Sequence, residues 1–117
     1  MMTFLCYPKC TTCQKAKKWL ESQNVSFEVR HIKDENPGVE ELKGWWKGSG
    51  LPLKKFFNTS GLQYKALNLK DKLPDMSEAE QLELLASDGM LVKRPILVGA
   101  DFVLVGFKEA EWSEKLL

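Results

Sequence analysis

The chain has 117 residues, 44% of them hydrophobic, which is the size of one domain with a buried core. Its 17 Lys and Arg almost balance its 16 Asp and Glu, so the large basic excess of a general nucleic-acid-binding surface is excluded. No segment reaches the roughly 18 apolar residues that cross a bilayer, and the apolar stretch 1–6 lacks the basic region of a signal peptide. We expect a cytoplasmic protein without a membrane or direct nucleic-acid partner.

The first elements in chain order are a strand, a helix and a second strand. Residues 3–7 are rich in β-forming types and end at Pro8. The spacing of Ala16, Trp19 and Leu20 predicts an amphipathic helix from Thr11 to about residue 24. Residues 25–32 predict the second strand. A β-α-β opening of this kind normally makes two parallel strands.

Helical patterns fill the middle of the chain. One helix is predicted by the stripe Val39, Leu42, Trp45 and Trp46, and another over 62–69. Residues 77–80 (SEAE) form a capping box that opens a third, for which Gly89 predicts the end.

The last elements are a β-hairpin and a helix. Residues 96–98 and 102–105 flank the turn 99–101, and a final helix is predicted over 108–116. The order β-α-β, helical insert, β-β-α is that of the thioredoxin fold with added helices. We therefore predict an α/β, thioredoxin-like fold with a mixed four-stranded sheet flanked by helices. It forms one domain over 1–117, with a helical insert at about 38–90.

The sequence Cys10-Thr11-Thr12-Cys13 lies where the first strand meets the first helix. First-turn N–H groups have no intrahelical partner, and with the helix dipole they favour an anion. We expect them to lower the pKa of Cys10, helped by Lys9. Cys13, one turn later, is placed to resolve a mixed disulfide. The same N–H groups, near Thr11 and Thr12, offer a site for an oxyanion against the Cys10 sulfur.

Other interpretations of the cysteines stay open. A C-x-x-C sequence also occurs with a structural role or by chance. Cys6, Cys10, Cys13 and His31 could together form a Cys₃His zinc site, although only two of them have the usual spacing. Cys6 alone is more typical of a core residue, and His31 of a packed or surface strand residue. We predict no metal and no cofactor.

These residues resemble the arsenate-reductase-like (ArsC/Spx/MgsR) family of thioredoxin-fold proteins. The resemblance is carried by residues 7–13 (YPKCTTC), Gly50-Leu51 and residues 91–96 (LVKRPI), and it covers nearly the whole chain. It implies an active-site cysteine at Cys10 and a cis-proline at Pro95 beside it. It also implies that Arg94 points toward the anion site, where a guanidinium suits an oxyanion or a thiolate. The expected site is thus Cys10, Cys13 and Arg94, supported by Thr11, Thr12 and Pro95.

The sequence also departs from the family pattern. Arsenate reductases of this family hold arsenate with three arginines, of which only Arg94 is matched; Asn58 and Phe107 occupy the other two positions. They often carry serine where Cys13 stands and take electrons from glutathione. The Spx-type branch does have the second cysteine. Those proteins are redox-switched regulators that bind the C-terminal domain of the RNA polymerase α subunit.

Three functions follow from these observations. The first is an arsenate-reductase-like thiol–disulfide oxidoreductase that acts on a small oxyanion or a disulfide, with glutathione or the thioredoxin system as reductant. The second is an Spx-type regulator that binds the RNA polymerase α subunit through the region around Gly50. The third is a structural zinc domain, which would lose its fold with a chelator. The sequence favours redox chemistry over zinc, and we place the oxidoreductase first.

Overall fold

The computed structural model describes all 117 residues and is built on a four-stranded sheet in the order β2-β1-β3-β4. The strands are β1 (Met2–Cys6), β2 (Phe27–His31), β3 (Ile96–Val98) and β4 (Val103–Val105). β1 runs parallel to β2, while the β1–β3 and β3–β4 pairs are antiparallel. The predicted fold class, a mixed four-stranded sheet flanked by helices, is confirmed.

Six α-helices surround this sheet, four of them between β2 and β3. Their bounds are α1 (Thr11–Ser22), α2 (Val39–Ser49), α3 (Leu62–Ala66), α4 (Leu69–Lys72), α5 (Glu78–Ser87) and α6 (Glu109–Leu116). Short 3₁₀ turns lie at Leu53–Phe56, Leu73–Asp75 and Gly89–Leu91. The capping box at Ser77 and Glu80 is confirmed, with hydrogen bonds of 3.1 and 3.0 Å. None of the helices combines the length and the apolar character that a membrane crossing requires.

The two faces of the sheet bury separate hydrophobic cores. Leu5 and Ile96 face a cluster of 13 buried residues shared with the helices of the insert. Phe4, Cys6 and Leu97 face a second cluster of 8 buried residues, which α1 and α6 cover. This alternation follows from the period of two along a strand. It places the cysteine segment on the α1 side of the sheet.

Several element boundaries differ from the predictions, and three of them have a structural cause or a marked shift. The second strand is shorter than 25–32, and α1 ends at Ser22, before Asn24 turns left-handed at φ 58°. The helix predicted over 62–69 is broken into α3 and α4 at Asn68, whose φ is 53°. Asparagine tolerates this left-handed conformation better than most residues, so it can interrupt a helical pattern without a glycine.

The helix predicted to stop at Gly89 ends just before it, but not through a left-handed glycine. α5 stops at Ser87, and Gly89 begins the next 3₁₀ turn without a positive φ. A Cβ at this position would lie 1.8 Å from the carbonyl oxygen of Ile32. The residue is glycine because two backbone segments meet there.

Candidate functional site

The candidate cysteine segment begins where β1 leaves the sheet. The backbone N–H of Cys10 donates to the carbonyl oxygen of Tyr7 at 2.9 Å, which closes a turn between β1 and α1. Cys10 then serves as the N-cap of α1, with extended backbone angles of φ −82° and ψ 120°. Its side chain is half-buried and stands at the positive end of a helix of 12 residues.

The surroundings of Cys10 lower its pKa below that of an ordinary thiol. Partial burial acts in the opposite direction and is the largest single influence. It is outweighed by hydrogen bonds from the backbone N–H and the thiol of Cys13, by the charge of Arg94, and by the N–H of Thr12. The charge comes from Arg94 rather than from Lys9, which is exposed.

Cys13 is shifted in the other direction. It is 2% exposed, and burial raises its pKa to about 12, with further increases from its hydrogen bond to Cys10 and from the charge of Cys10. The N–H of Tyr7 partly opposes this shift through a 3.5 Å contact with the Cys13 sulfur. Two neighbouring thiols therefore differ in role: Cys10 ionises first, and Cys13 holds its proton and donates a hydrogen bond.

Arg94 is held beside the cysteines by contacts that leave part of its guanidinium unused. Its guanidinium carbon lies 5.3 Å from the centre of the Tyr7 ring, and Nη1 donates to the carbonyl oxygen of Met90 at 3.5 Å. Nε is buried and has no partner. An unpaired buried donor costs free energy of about 1–3 kcal/mol, which an anionic acceptor would recover. Tyr7 and Met90 did not emerge from the sequence, where nothing marks a ring or a carbonyl as a support for arginine.

The remaining predicted site residues lie around this group. Thr11 and Thr12 are exposed on the first turn of α1. Pro95 is buried, follows Arg94 through a cis peptide bond as the resemblance implies, and accepts a 2.8 Å hydrogen bond from Gly106. The antiparallel pairing of Leu5 with Ile96 is what brings this segment next to the end of β1.

The four candidate zinc ligands are not brought together. Cys6 is 5% exposed within the α1-side core, where burial raises its pKa. His31 is exposed on the edge strand β2 and lies 3.9 Å from Asp34. No group of three or more His, Cys, Asp and Glu side chains is arranged to hold a metal ion.

The positions of the two unmatched arginines hold side chains without charge. Asn58 is half-buried and belongs to a turn, and Phe107 stacks edge-on against Trp112 with ring centres 5.0 Å apart. The chain has one other arginine, Arg30, which is paired with Glu41 at 2.6 Å. Arg94 is therefore the one arginine beside Cys10.

Comparison with known proteins gives matches over nearly the whole chain. The ArsC family model matches residues 5–115. The protein YusI of Bacillus subtilis is 58% identical over 97% of this chain and 96% of its own length. The regulatory protein MgsR of the same organism is 36% identical over 94% and 86%. The global transcriptional regulator Spx of Enterococcus faecalis is 31% identical over 95% and 83%.

Solved structures share the whole fold. An ArsC family related protein from Bacteroides fragilis superposes with a TM-score of 0.95 at 60% identity, covering 97% of this chain and 95% of that one. A possible arsenate reductase from Streptococcus mutans superposes with a TM-score of 0.91 at 45% identity, covering 99% and 98%.

Proposed function

Because this chain belongs to the ArsC family, we propose that it is an arsenate-reductase-like thiol–disulfide oxidoreductase with Cys10 as its nucleophile. The observation that carries the proposal is the pair of opposite pKa shifts on adjacent thiols at the start of α1. A thiolate is the attacking species in thiol–disulfide exchange, and a lowered pKa makes it available near neutral pH. Purely structural cysteines have no need of such a difference.

The reaction uses the two sulfurs in sequence. The Cys10 thiolate attacks one sulfur of a disulfide, a mixed disulfide forms, and the other substrate sulfur leaves as a thiolate. Cys13 then loses its proton to solvent and attacks the Cys10 sulfur. The Cys10–Cys13 disulfide forms, and the second substrate thiolate is released. The substrate gains two electrons from the pair, and an external thiol reductant, glutathione or the thioredoxin system, restores the two thiols.

Arg94 and the first turn of α1 supply the electrostatic part of this proposal. The guanidinium and the N–H groups of Thr12 and Cys13 stabilise negative charge on Cys10 or on a bound oxyanion. With Asn58 and Phe107 at the other clamp positions, arsenate has a single arginine to bind, so a disulfide is the better-supported substrate. Exchange of this kind needs no metal or cofactor, and reduced thiols are maintained in the cytoplasm, the proposed location.

The test follows free thiols in purified protein through oxidation by peroxide and reduction by thioredoxin. We expect the wild type to lose two of its three thiols on oxidation and to regain both on reduction. Cys10→Ser should form no intramolecular disulfide. Cys6→Ala should lose and regain two thiols, as the wild type does. Arsenate is then added, and consumption of reductant absent from Cys10→Ser would extend the activity to arsenate. If neither Cys10 nor Cys13 is oxidised, the redox function is wrong.

A second candidate is a redox-switched regulator, which the similarity to MgsR and Spx supports. In this function, oxidation of Cys10 and Cys13 changes a surface that binds the C-terminal domain of the RNA polymerase α subunit. The exposed end of α2 at Gly50, left-handed at φ 69°, is the proposed contact. Reversible oxidation without turnover, together with binding of the purified α subunit domain that depends on oxidation, would favour the regulator over the enzyme.

A further inference from the structure

A groove of about 1130 Å³ is lined by Thr12 and Arg94, the two residues whose N–H group and charge act on Cys10, and by residues of the helical insert and the segment 105–108. Small-molecule sites commonly enclose about 300–1,000 Å³, so this space exceeds what a tetrahedral oxyanion or a small thiol fills. Its floor includes the half-buried side chains of Trp46, Tyr64 and Met76. The volume of the groove and its apolar lining residues are suited to binding a peptide segment.

The groove is lined by far more positive than negative charge. Its six cationic residues are Lys54, Lys55, Lys70, Lys93, Arg94 and Lys108, and its two acidic residues are Glu78 and Glu111. That is an excess of four positive charges in a chain whose net charge is +1, so the rest of the surface carries a net charge of −3. A field confined to one cleft in this way attracts an oppositely charged partner and raises its association rate.

The groove lysines are also unpaired. The close ion pairs of the chain are Arg30 with Glu41 and His31 with Asp34, and neither lies in the groove. Since no carboxylate lies within ion-pair distance of these lysines, their ammonium groups are available to a ligand. We propose that the groove binds an acidic peptide segment that carries a disulfide, and presents that disulfide to Cys10.

This inference rests on the proposed oxidoreductase function and names its substrate class. Acidic side chains of the peptide pair with the groove lysines, and its apolar side chains cover Trp46 and Tyr64. The peptide disulfide then lies at the Thr12 and Arg94 end, where Cys10 attacks it. The products are the reduced peptide and the Cys10–Cys13 disulfide, which an external dithiol reduces.

The experiment uses the pre-reduced full chain in single turnover, so that no external reductant is needed. The substrates are peptides of equal length with one cysteine, held as a mixed disulfide with a pyridinethiol and flanked by glutamate, glutamine or lysine. Release of the pyridinethiol is followed by absorbance. We expect the glutamate peptide to react at least about tenfold faster than the glutamine peptide at low salt, with the difference shrinking as salt screens the charges.

Matched variants separate the groove from charge in general. A variant with Lys54→Gln, Lys55→Gln and Lys70→Gln should bring the ratio of the glutamate-peptide rate to the glutamine-peptide rate close to one. A control with Lys33→Gln, Lys43→Gln and Lys47→Gln removes the same charge from exposed positions outside the groove and should keep the preference. Folding of each variant is checked by circular dichroism.

Each outcome decides between distinct conclusions. Equal rates for the three peptides, or an acidic preference that survives in the groove variant, would overturn the groove inference while leaving the oxidoreductase intact. A single-stranded oligonucleotide that binds the groove, with no acidic preference among peptides, would assign the lysines to nucleic acid instead. Failure of the reduced protein to react with any of the disulfides would refute the oxidoreductase function itself.

Discussion

The contact between Gly89 and the carbonyl of Ile32 gives a sharp test of the packing behind Arg94. In Gly89→Ala, the new Cβ would lie 1.8 Å from the Ile32 oxygen and 2.7 Å from its carbonyl carbon. Both atoms belong to backbone, so no side-chain rotation relieves the clash, and the segments must separate by more than 1 Å. Overpacking against a rigid partner of this kind costs about 3 kcal/mol. For a chain of this length that corresponds to a melting temperature lower by about 12 °C.

Gly44 provides the matched control. It is exposed within α2, and a Cβ there would meet nothing within 4 Å. Because glycine disfavours a helix interior by about 1 kcal/mol relative to alanine, Gly44→Ala should raise the melting temperature by about 4 °C. Thermal unfolding followed by circular dichroism measures both variants. A Gly89→Ala protein that melts within about 2 °C of the wild type would show that the two segments do not approach as described.

Three further predictions concern the thiols. Iodoacetamide should alkylate Cys10 at pH values below those at which an ordinary thiol reacts, and should spare Cys13 until the pH nears 12, because the two pKa values are shifted in opposite directions. Tandem mass spectrometry measures the labelling of each cysteine. Equal labelling of the two would contradict this prediction. Arg94→Met should raise the pKa of Cys10 and increase the oxidised fraction of the pair in a dithiol redox buffer, since the reduced form loses thiolate stabilisation; Lys93→Met is the control, and an unchanged fraction in both variants would refute the role of Arg94. Because the Tyr7 ring supports the Arg94 guanidinium, Tyr7→Leu should raise the pKa of Cys10, but less than Arg94→Met does, and Tyr7→Phe should leave it unchanged. The pKa is measured by thiolate absorbance. If Tyr7→Phe raised the pKa as much as Tyr7→Leu, the hydroxyl rather than the ring would support Arg94.

Local patterns were sufficient for much of the fold. The strand-to-helix change at Cys10, the capping box at Ser77 and the hairpin around residues 99–101 each depend on neighbouring residues, and all three are found in the structure. The break at Asn68 was missed because asparagine adopts the left-handed conformation only in some contexts. The role of Gly89 was missed because it depends on Ile32, a residue far away in sequence.

Only part of the candidate site could be predicted from local sequence, for the same reason. Helix-terminus physics identifies Cys10 and Cys13 from their position alone. Arg94 reaches them only because β3 pairs antiparallel with β1, so that the start of one strand meets the end of the other. No local pattern encodes that pairing, and the family resemblance supplied it. The groove lysines lie in four separate segments, and their common location emerges only when the insert folds over the sheet.

The two hydrophobic cores share no residue, so the sheet separates the core that contains Cys13 from the core on which the helical insert packs. Opening of the insert therefore need not unpack Cys13 or Trp112, and amide exchange should divide the chain into two layers that exchange at different rates. Substitutions in the insert that leave the Met90 carbonyl in place can accumulate and change what the protein recognises while Cys13 keeps its environment. The same separation would let proteins of this fold diverge toward different partners while the core around Cys13 is kept.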